Sequence, residues 1–225
     1  MKTGLRMRFG DVLLSHTMHY PLTLTNIFPD LGLYLPDPLQ VRSVYEKQLL
    51  AEPDTPFPFW AKTWPSAFAL ASFLRDEIKW TEGKNVLELG AGTALPSFAI
   101  APFAASVTIS DHAPEAVALM KKNIAHLGLQ NAHACLIDWN ALPPNLEAGV
   151  LLLSDTNYAA VQFPSLLNLI DRFVNVGTTV ILSTPVRINI TPFAEAIRPL
   201  IKHSVLRTHS QPQEAVEIRI LVLGK

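Results

Sequence analysis

Cysteine is almost absent from this chain. Its 225 residues hold one, Cys135, so neither a disulfide framework nor a multi-cysteine metal site can be built. A reducing interior is the natural setting for such a chain. Charge is scarce as well: 16% of residues are charged against 49% apolar, the composition of a core-rich globular protein and not of a disordered one. Neither sign dominates, with 18 Lys and Arg facing 19 Asp and Glu. The basic excess of a phosphate-backbone binder is missing, so nucleic acid is not a favoured partner. No stretch approaches the roughly 20 apolar residues of a membrane span. The N-terminal patch "VLLS" is too short for a signal peptide and runs into His16 and His19. A soluble cytoplasmic protein is expected. His112, His126 and His133 sit on separate predicted elements, which leaves no metal-ligand spacing, and no metal is expected.

What is present falls into two regions. Residues 1–56 are rich in proline and aromatics and read as an N-terminal extension or cover; residues 57–225 read as one domain. In the extension, "MRFGDVLLS" and "PLTLTNIF" alternate as strands do, and "PLQVRSVYEKQLLAE" is a helix with Val41, Val44, Tyr45 and Leu49 on one face. From Ser66 onward helical and strand patterns alternate. Helices are predicted over "SAFALASFLRDEIKW", "PSFAIAPFA", "PEAVALMKKNIAHLG", "FPSLLNLIDRFV" and "TPFAEAIRPLIK". Strands are predicted over "NVLELG", "SVTISD", "HACLIDW", "GVLLLSD" and "TTVILSTP". Apolar strands alternating with helices indicate a parallel sheet covered on both faces. The last two strands, in "SVLRTHSQPQEAVEIRILVLGK", are joined by a turn around Pro212 that is too short for a crossover, so they are antiparallel. The expectation is a doubly wound α/β fold with seven strands, parallel except for the last.

In such a sheet ligands bind at the carboxyl ends of the strands. The stretch "VLELGAGTALP" turns there, at Gly90 and Gly92. Glycine permits positive φ and close backbone approach to a ligand. No Lys follows, which excludes a P-loop, and Leu95 stands where a dinucleotide fingerprint has its third glycine. Glu88 would repel a pyrophosphate and suits a cationic or amino-bearing ligand. Asp111 ends the next strand, where an acid can accept from both ribose hydroxyls; it can equally cap the helix that follows. Asp138 and Trp139, in "IDWN", offer an acceptor for an exocyclic amine and an aromatic face.

"VLELGAGTALP", "ISDHAPEA" and "IDWN" resemble the successive motifs of class I, seven-strand S-adenosylmethionine-dependent methyltransferases. "PFPFWAKTWPSAFALASFL" and "LLLSDTNYAA" look like the W-x-x-x-W-P segment and the D-x-x-Y motif of the seven-strand protein lysine methyltransferase group, whose relatives act on other amines. The resemblance covers about residues 57–225 and implies a Rossmann-like methyltransferase fold with S-adenosyl-L-methionine as cofactor. It implies cofactor contacts from Trp64, Ser66, Glu88, Gly90, Ala91, Gly92, Asp111, His112, Asp138, Trp139 and Ser154, and transfer at Asp155 and Tyr158. Two departures stand out: Thr93-Ala94 replaces the Cys/Thr-Gly of many members, and acidic residues are missing after the D-x-x-Y motif. The implied function is N-methylation, with a protein lysine as the favoured acceptor. A small-molecule amine, and a non-catalytic module that keeps the fold, stand as alternatives. Trp60, Trp64 and Tyr158 are candidates for cation–π contact with a sulfonium, and core packing is the competing role for the two tryptophans.

Overall fold

The computed structural model describes residues 20–186, 191–210 and 215–225. The strand expected over residues 7–15 and the turn around Pro212 lie outside the described residues. The described residues open with a hairpin, β1 (Leu22–Phe28) and β2 (Leu31–Pro36), followed by α1 (Pro38–Ala51) and α2 (Pro65–Asp76). Then come β3 (Asn85–Leu89), α3 (Leu95–Ile100), β4 (Ser106–Asp111), α4 (Pro114–Leu127), β5 (Ala132–Leu136) and β6 (Val150–Ser154). α5 (Phe163–Asn175), β7 (Thr179–Pro185), α6 (Thr191–Ile197), β8 (Ile201–Ser210) and β9 (Ala215–Leu223) complete the fold.

Seven strands form one sheet in the order β5-β4-β3-β6-β7-β9-β8. β3 to β7 run parallel, β9 is antiparallel to β7, and β8 is antiparallel to β9. Only β9 therefore runs against the rest, as the short last connection requires. Strand order reverses between β3 and β6, and the loops after these two strands leave in different directions. The crevice of a doubly wound sheet opens at such a point.

Alternation along the strands divides the core in two. Val86, Val107, Val150, Leu152 and Ile181 pack on one face with α2, α3 and α4. Leu87, Leu89, Leu151, Leu153 and Leu182 pack on the other with α5 and α6. α5 shows why the helices settle there: Phe163, Leu166, Leu169, Ile170, Phe173 and Val174 are buried, spaced three and four apart as one helical face. α4 starts at Pro114 and stops at Gly128, whose φ of 64° lets its N–H reach back to the carbonyls of Ala125 and Ile124. Two helices fall short of expectation at prolines, while α2, expected to reach Trp80, stops at Asp76 and is followed by a 3-10 turn over Ile78–Trp80. α3 ends at Ile100, before Pro102, and α6 gives way at Arg198–Leu200, around Pro199, to a single 3-10 turn. β5 stops at Leu136, so Asp138 and Trp139 lie beyond it.

The hairpin partner of β1 is β2, in an antiparallel register with a bulge between Asn26 and Phe28. β2 was not among the expected strands, because its short alternation "LGLYLP" is hemmed by Gly32 and Pro36. Its Leu31 and Leu33 are buried in the core shared with α2, α3 and α4. The carboxamide of the fully buried Asn123 on α4 fastens it, accepting from Tyr34 N at 2.8 Å and donating to Tyr34 O at 3.0 Å. In α1 the expected apolar face is only partly covered: Val41 is buried, Val44 and Tyr45 are half-buried, and Leu49 is exposed. No helix of the described residues is long and apolar enough to cross a membrane.

Candidate functional site

The turn after β3 carries three successive demands on the backbone. Gly90 and Gly92 have φ of 64° and 54°, and Ala94 takes φ 58° without glycine's freedom. The spaces left by the two glycines are filled by other segments. A Cβ on Gly90 would stand 2.9 Å from the Trp139 ring, and one on Gly92 would stand 3.2 Å from the Trp60 carbonyl oxygen. Trp60 therefore serves the turn through its backbone, while its ring packs edge-on against Tyr20 at 5.7 Å. Thr63 and Thr93 join side chains at 2.9 Å, tying the W-x-x-x-W-P segment to the same turn.

Glu88 is fully buried in β3. One carboxylate oxygen accepts from the N–H of Ser97 at 3.1 Å and from its hydroxyl; the other, Oε1, has no partner. Burial pushes this carboxyl up to about 7, against the pull of the Ser97 bonds. Asp111, nearly buried, spends both oxygens on backbone, accepting from Gly92 N at 2.9 Å and Ala113 N at 3.0 Å. It thus braces the glycine turn and the entry to α4 together. The exposed His112 leans on it at 3.2 Å, and that hydrogen bond raises the imidazole's pKa. Asp138 stands apart: it is exposed, and its Oδ1 accepts from the N–H and the side-chain amide of Asn140.

The segment after β6 borders the turn. The Thr156 methyl lies 3.7 Å from the Cβ position of Gly90. Asp155 takes φ 51°, the left-handed region that a non-glycine residue occupies only under constraint. Its N–H donates to Ser183 O at 2.9 Å. Ser183 Oγ bonds Ser66 O at 3.1 Å and lies 3.3 Å from Ser154 Oγ, so α2, β6 and β7 meet here. Tyr158, 47% exposed, stacks on the half-exposed Phe59 with ring centroids 5.6 Å apart. Trp64 lies 6.2 Å from Phe59, bonds its carbonyl through Nε1 at 3.0 Å, and carries the Lys62 ammonium over its ring at 4.3 Å. Phe59, Trp64 and Tyr158 thus form a rim of aromatic rings, joined to Asp155 through the short segment that ends in Tyr158. Ser66 Oγ, Glu88 Oε1, Thr156 Oγ1 and the Asn157 amide are all buried and without a protein partner.

The lysine methyltransferase family matches residues 46–221. The chain belongs to that family. It is 31% identical over 133 residues to protein N-lysine methyltransferase METTL21A of Danio rerio, covering 56% of this chain and 61% of that protein. It is 33% identical over 116 residues to histone-arginine methyltransferase METTL23 of Homo sapiens, covering 46% of this chain and 58% of that protein. The chain therefore spans about 60% of the length of these curated relatives. Among solved structures, a putative RNA methyltransferase from Pyrococcus horikoshii superposes with a TM-score of 0.58 at 17% identity, over 76% of this chain and 91% of that one. N-methyltransferase NodS of Bradyrhizobium japonicum, solved with S-adenosyl-L-homocysteine, superposes with a TM-score of 0.56 at 13% identity, over 80% of this chain and 98% of that one. At such identities the structural likeness carries the fold.

Several residues of this family member's site left no sequence signal. Phe59 sits in a run, "PFPF", that reads as a rigid connector. Ser97 reads as an ordinary first-turn helix residue, yet supplies both bonds that Glu88 receives. His203 and His209, six residues apart on β8, share one side of the strand. They cover aromatic side chains of α2, His203 over Phe73 at 6.3 Å and His209 over Phe68 at 4.7 Å.

Proposed function

We propose that the protein is an S-adenosylmethionine-dependent N-methyltransferase whose acceptor is a lysine side chain of another protein. The observation that carries this reading is that Glu88 Oε1 and Thr156 Oγ1, buried and without a protein partner, flank a tightly packed glycine turn, with Ser66 Oγ on α2 unpartnered in the same way. A buried polar atom without a hydrogen bond costs about 1–3 kcal/mol, so such a set fits a polar ligand. Membership of the lysine methyltransferase family supports S-adenosylmethionine as that ligand.

In this reading Glu88 Oε1 accepts from the ammonium of the cofactor's methionine end, with Trp64, Ser66 and Ser154 beside it. Gly90, Ala91 and Gly92 lend backbone to the same ligand. Asp111, whose oxygens keep lone pairs beyond those used by Gly92 and Ala113, takes the ribose hydroxyls next to His112. Asp138, whose Oδ1 accepts from Asn140 here, would supply an acceptor for the adenine amine, and Trp139 an aromatic face for the base. The residues present fit such a ligand: Glu88, Asp111 and Asp138 offer acceptors for its donors, and the two basic groups beside them, His112 on Asp111 and Lys62 over Trp64, leave Glu88 Oε1 unpartnered. When bound, S-adenosylmethionine supplies an electrophilic methyl group on a sulfonium with its leaving group built in. What this chain adds is orientation and exclusion of water. A lysine amine has an ordinary pKa near ~10.4 and must be neutral to react. The apolar rim of Phe59, Trp64 and Tyr158 lowers that value by desolvation. Asp155 orients the amine and receives its proton for release to water; Tyr158 closes the mouth over it.

The deciding experiment is calorimetric titration with S-adenosylhomocysteine, with NAD and ATP as controls. Micromolar binding of the first alone is expected. No binding would sink the reading and favour a non-catalytic module. The likeness to a histone-arginine methyltransferase supports a second reading, a guanidinium acceptor. Hydrolysis of labelled protein acceptors separates the two: N-methyllysine is expected, and methylarginine would move the assignment.

A further inference from the structure

A pocket of about 190 Å³ lies at the carboxyl end of β7, beside the segment that holds Asp155 and Tyr158. Phe193, Ile197 and Leu221, all buried, form its apolar part, and the exposed Glu195, Arg198 and Arg219 stand around it. Asn157 is part of its wall. This residue is fully buried, and neither its Oδ1 nor its Nδ2 has a hydrogen-bond partner. Tyr158, the next residue, stacks on Phe59 at the rim. One short segment thus serves two places, the mouth and the pocket.

An orphaned carboxamide wants a ligand with one donor and one acceptor side by side. A carboxylate or phosphate would satisfy Nδ2 and leave Oδ1 facing negative charge. An ammonium or guanidinium would satisfy Oδ1, strand Nδ2, and bring a cation beside Arg198 and Arg219. A second carboxamide satisfies both atoms, and its aliphatic stem suits Phe193, Ile197 and Leu221. We infer that the Asn157 pocket is a specificity subsite that takes a carboxamide side chain, glutamine or asparagine, from a residue of the protein substrate flanking the methylated one. The inference rests on the proposed function for its place beside the mouth. The Asn157 amide is shielded from water, so the incoming side chain parts the wall and replaces lost packing with two hydrogen bonds.

The test uses 15N-labelled full-length protein and butyramide as a stand-in for the side chain, with butyrate and butylammonium as controls. The Asn157 side-chain NH2 signals are assigned by their loss in Asn157→Asp. Butyramide is expected to shift them saturably, and to shift the amide signals of Phe193 and Leu221 in wild type but not in Asn157→Leu. Asn157→Leu, which removes an unsatisfied buried amide at similar volume, is expected to melt higher by roughly 2–4 °C, which shows that it folds. No saturable shift with butyramide, an equal response of Phe193 and Leu221 in Asn157→Leu, or a preference for butylammonium would each overturn the inference. S-adenosylhomocysteine titrated into the same samples reads the cofactor site independently, so its failure to bind would count against the proposed function and not against the pocket.

Discussion

Asp155 and Glu88 carry most of the chemistry in the proposed reading, and each has an unusual local setting: a left-handed backbone at Asp155 and a buried carboxyl with one unpartnered oxygen at Glu88. Asp155 sits at φ 51°, a region that asparagine tolerates nearly as well as aspartate while other side chains are strained. Asp155→Asn is therefore the clean variant. It should melt within a degree or two of wild type and keep its affinity for S-adenosylhomocysteine, while methyl transfer falls about 100-fold, the usual scale for losing a proton-handling group. Equal loss of binding and transfer would show that the residue serves the cofactor instead. Glu88 has its carboxyl raised from 4.5 to about 7. The folded protein then holds a proton that the unfolded chain has released, so this residue's contribution is full below pH 4.5 and is lost as pH rises through 7. The loss is on the order of 3 kcal/mol. Urea unfolding of wild type and Glu88→Gln at pH 5 and pH 8 should show wild type losing the more stability of the two. Seating an ammonium beside Glu88 at pH 7 should release a proton, read as a buffer-dependent enthalpy of binding.

At the scale of elements, two junctions place the site. The first is the β3–α3 turn. Gly92→Ala must hold a left-handed conformation, costing about 1–2 kcal/mol, and must push the Trp60 carbonyl away from a contact of 3.2 Å. We expect a lower melting temperature together with weaker S-adenosylhomocysteine binding in calorimetry. The importance of this turn was legible in the sequence, since Gly90 and Gly92 lie between an apolar strand and a helix. That Trp60 and Trp139 fill the space above the glycines was not, because each arrives from another part of the chain. The second junction is the hairpin on α4. Asn123→Ala strands the N–H and carbonyl of Tyr34, costing about 1–3 kcal/mol. Hydrogen exchange should speed up at β1 and β2 before it does in the central sheet. Asn123 reads in the sequence as one polar residue in a helix, and nothing near it announces its two bonds to a residue 89 positions away.

For the molecule as a whole, stability and ligand are linked. A ligand that binds only the folded state at a hundredfold excess over its Kd adds about 2.7 kcal/mol, which for a domain of this size raises Tm by roughly 5–10 °C. S-adenosylhomocysteine should do this and NAD should not, in a melting experiment at fixed protein concentration. The rise should persist in Asp155→Asn and shrink in Asp111→Ala, where the brace between Gly92 and Ala113 is lost along with a contact to the ligand.

The sequence by itself determined the order and kind of the main-sheet elements, the reversed last strand, and the edge of the sheet at which Glu88, Gly90, Asp111 and Asp155 gather. Period, turn residues and connection length are local quantities, set by side chains a few positions apart. Tertiary structure alone decided that β2 pairs with β1 and docks on α4, that Ser97 holds one oxygen of Glu88 and leaves the other bare, that Asp111 is tied to backbone, and that Asn157 is buried in the wall of a pocket while Tyr158 stacks on Phe59. Those outcomes depend on which distant segments the sheet order brings together: Ser183 meets Ser66 across 117 positions. No local pattern carries such a distance, because the two residues are neighbours only through the sheet order and the helix packing on it.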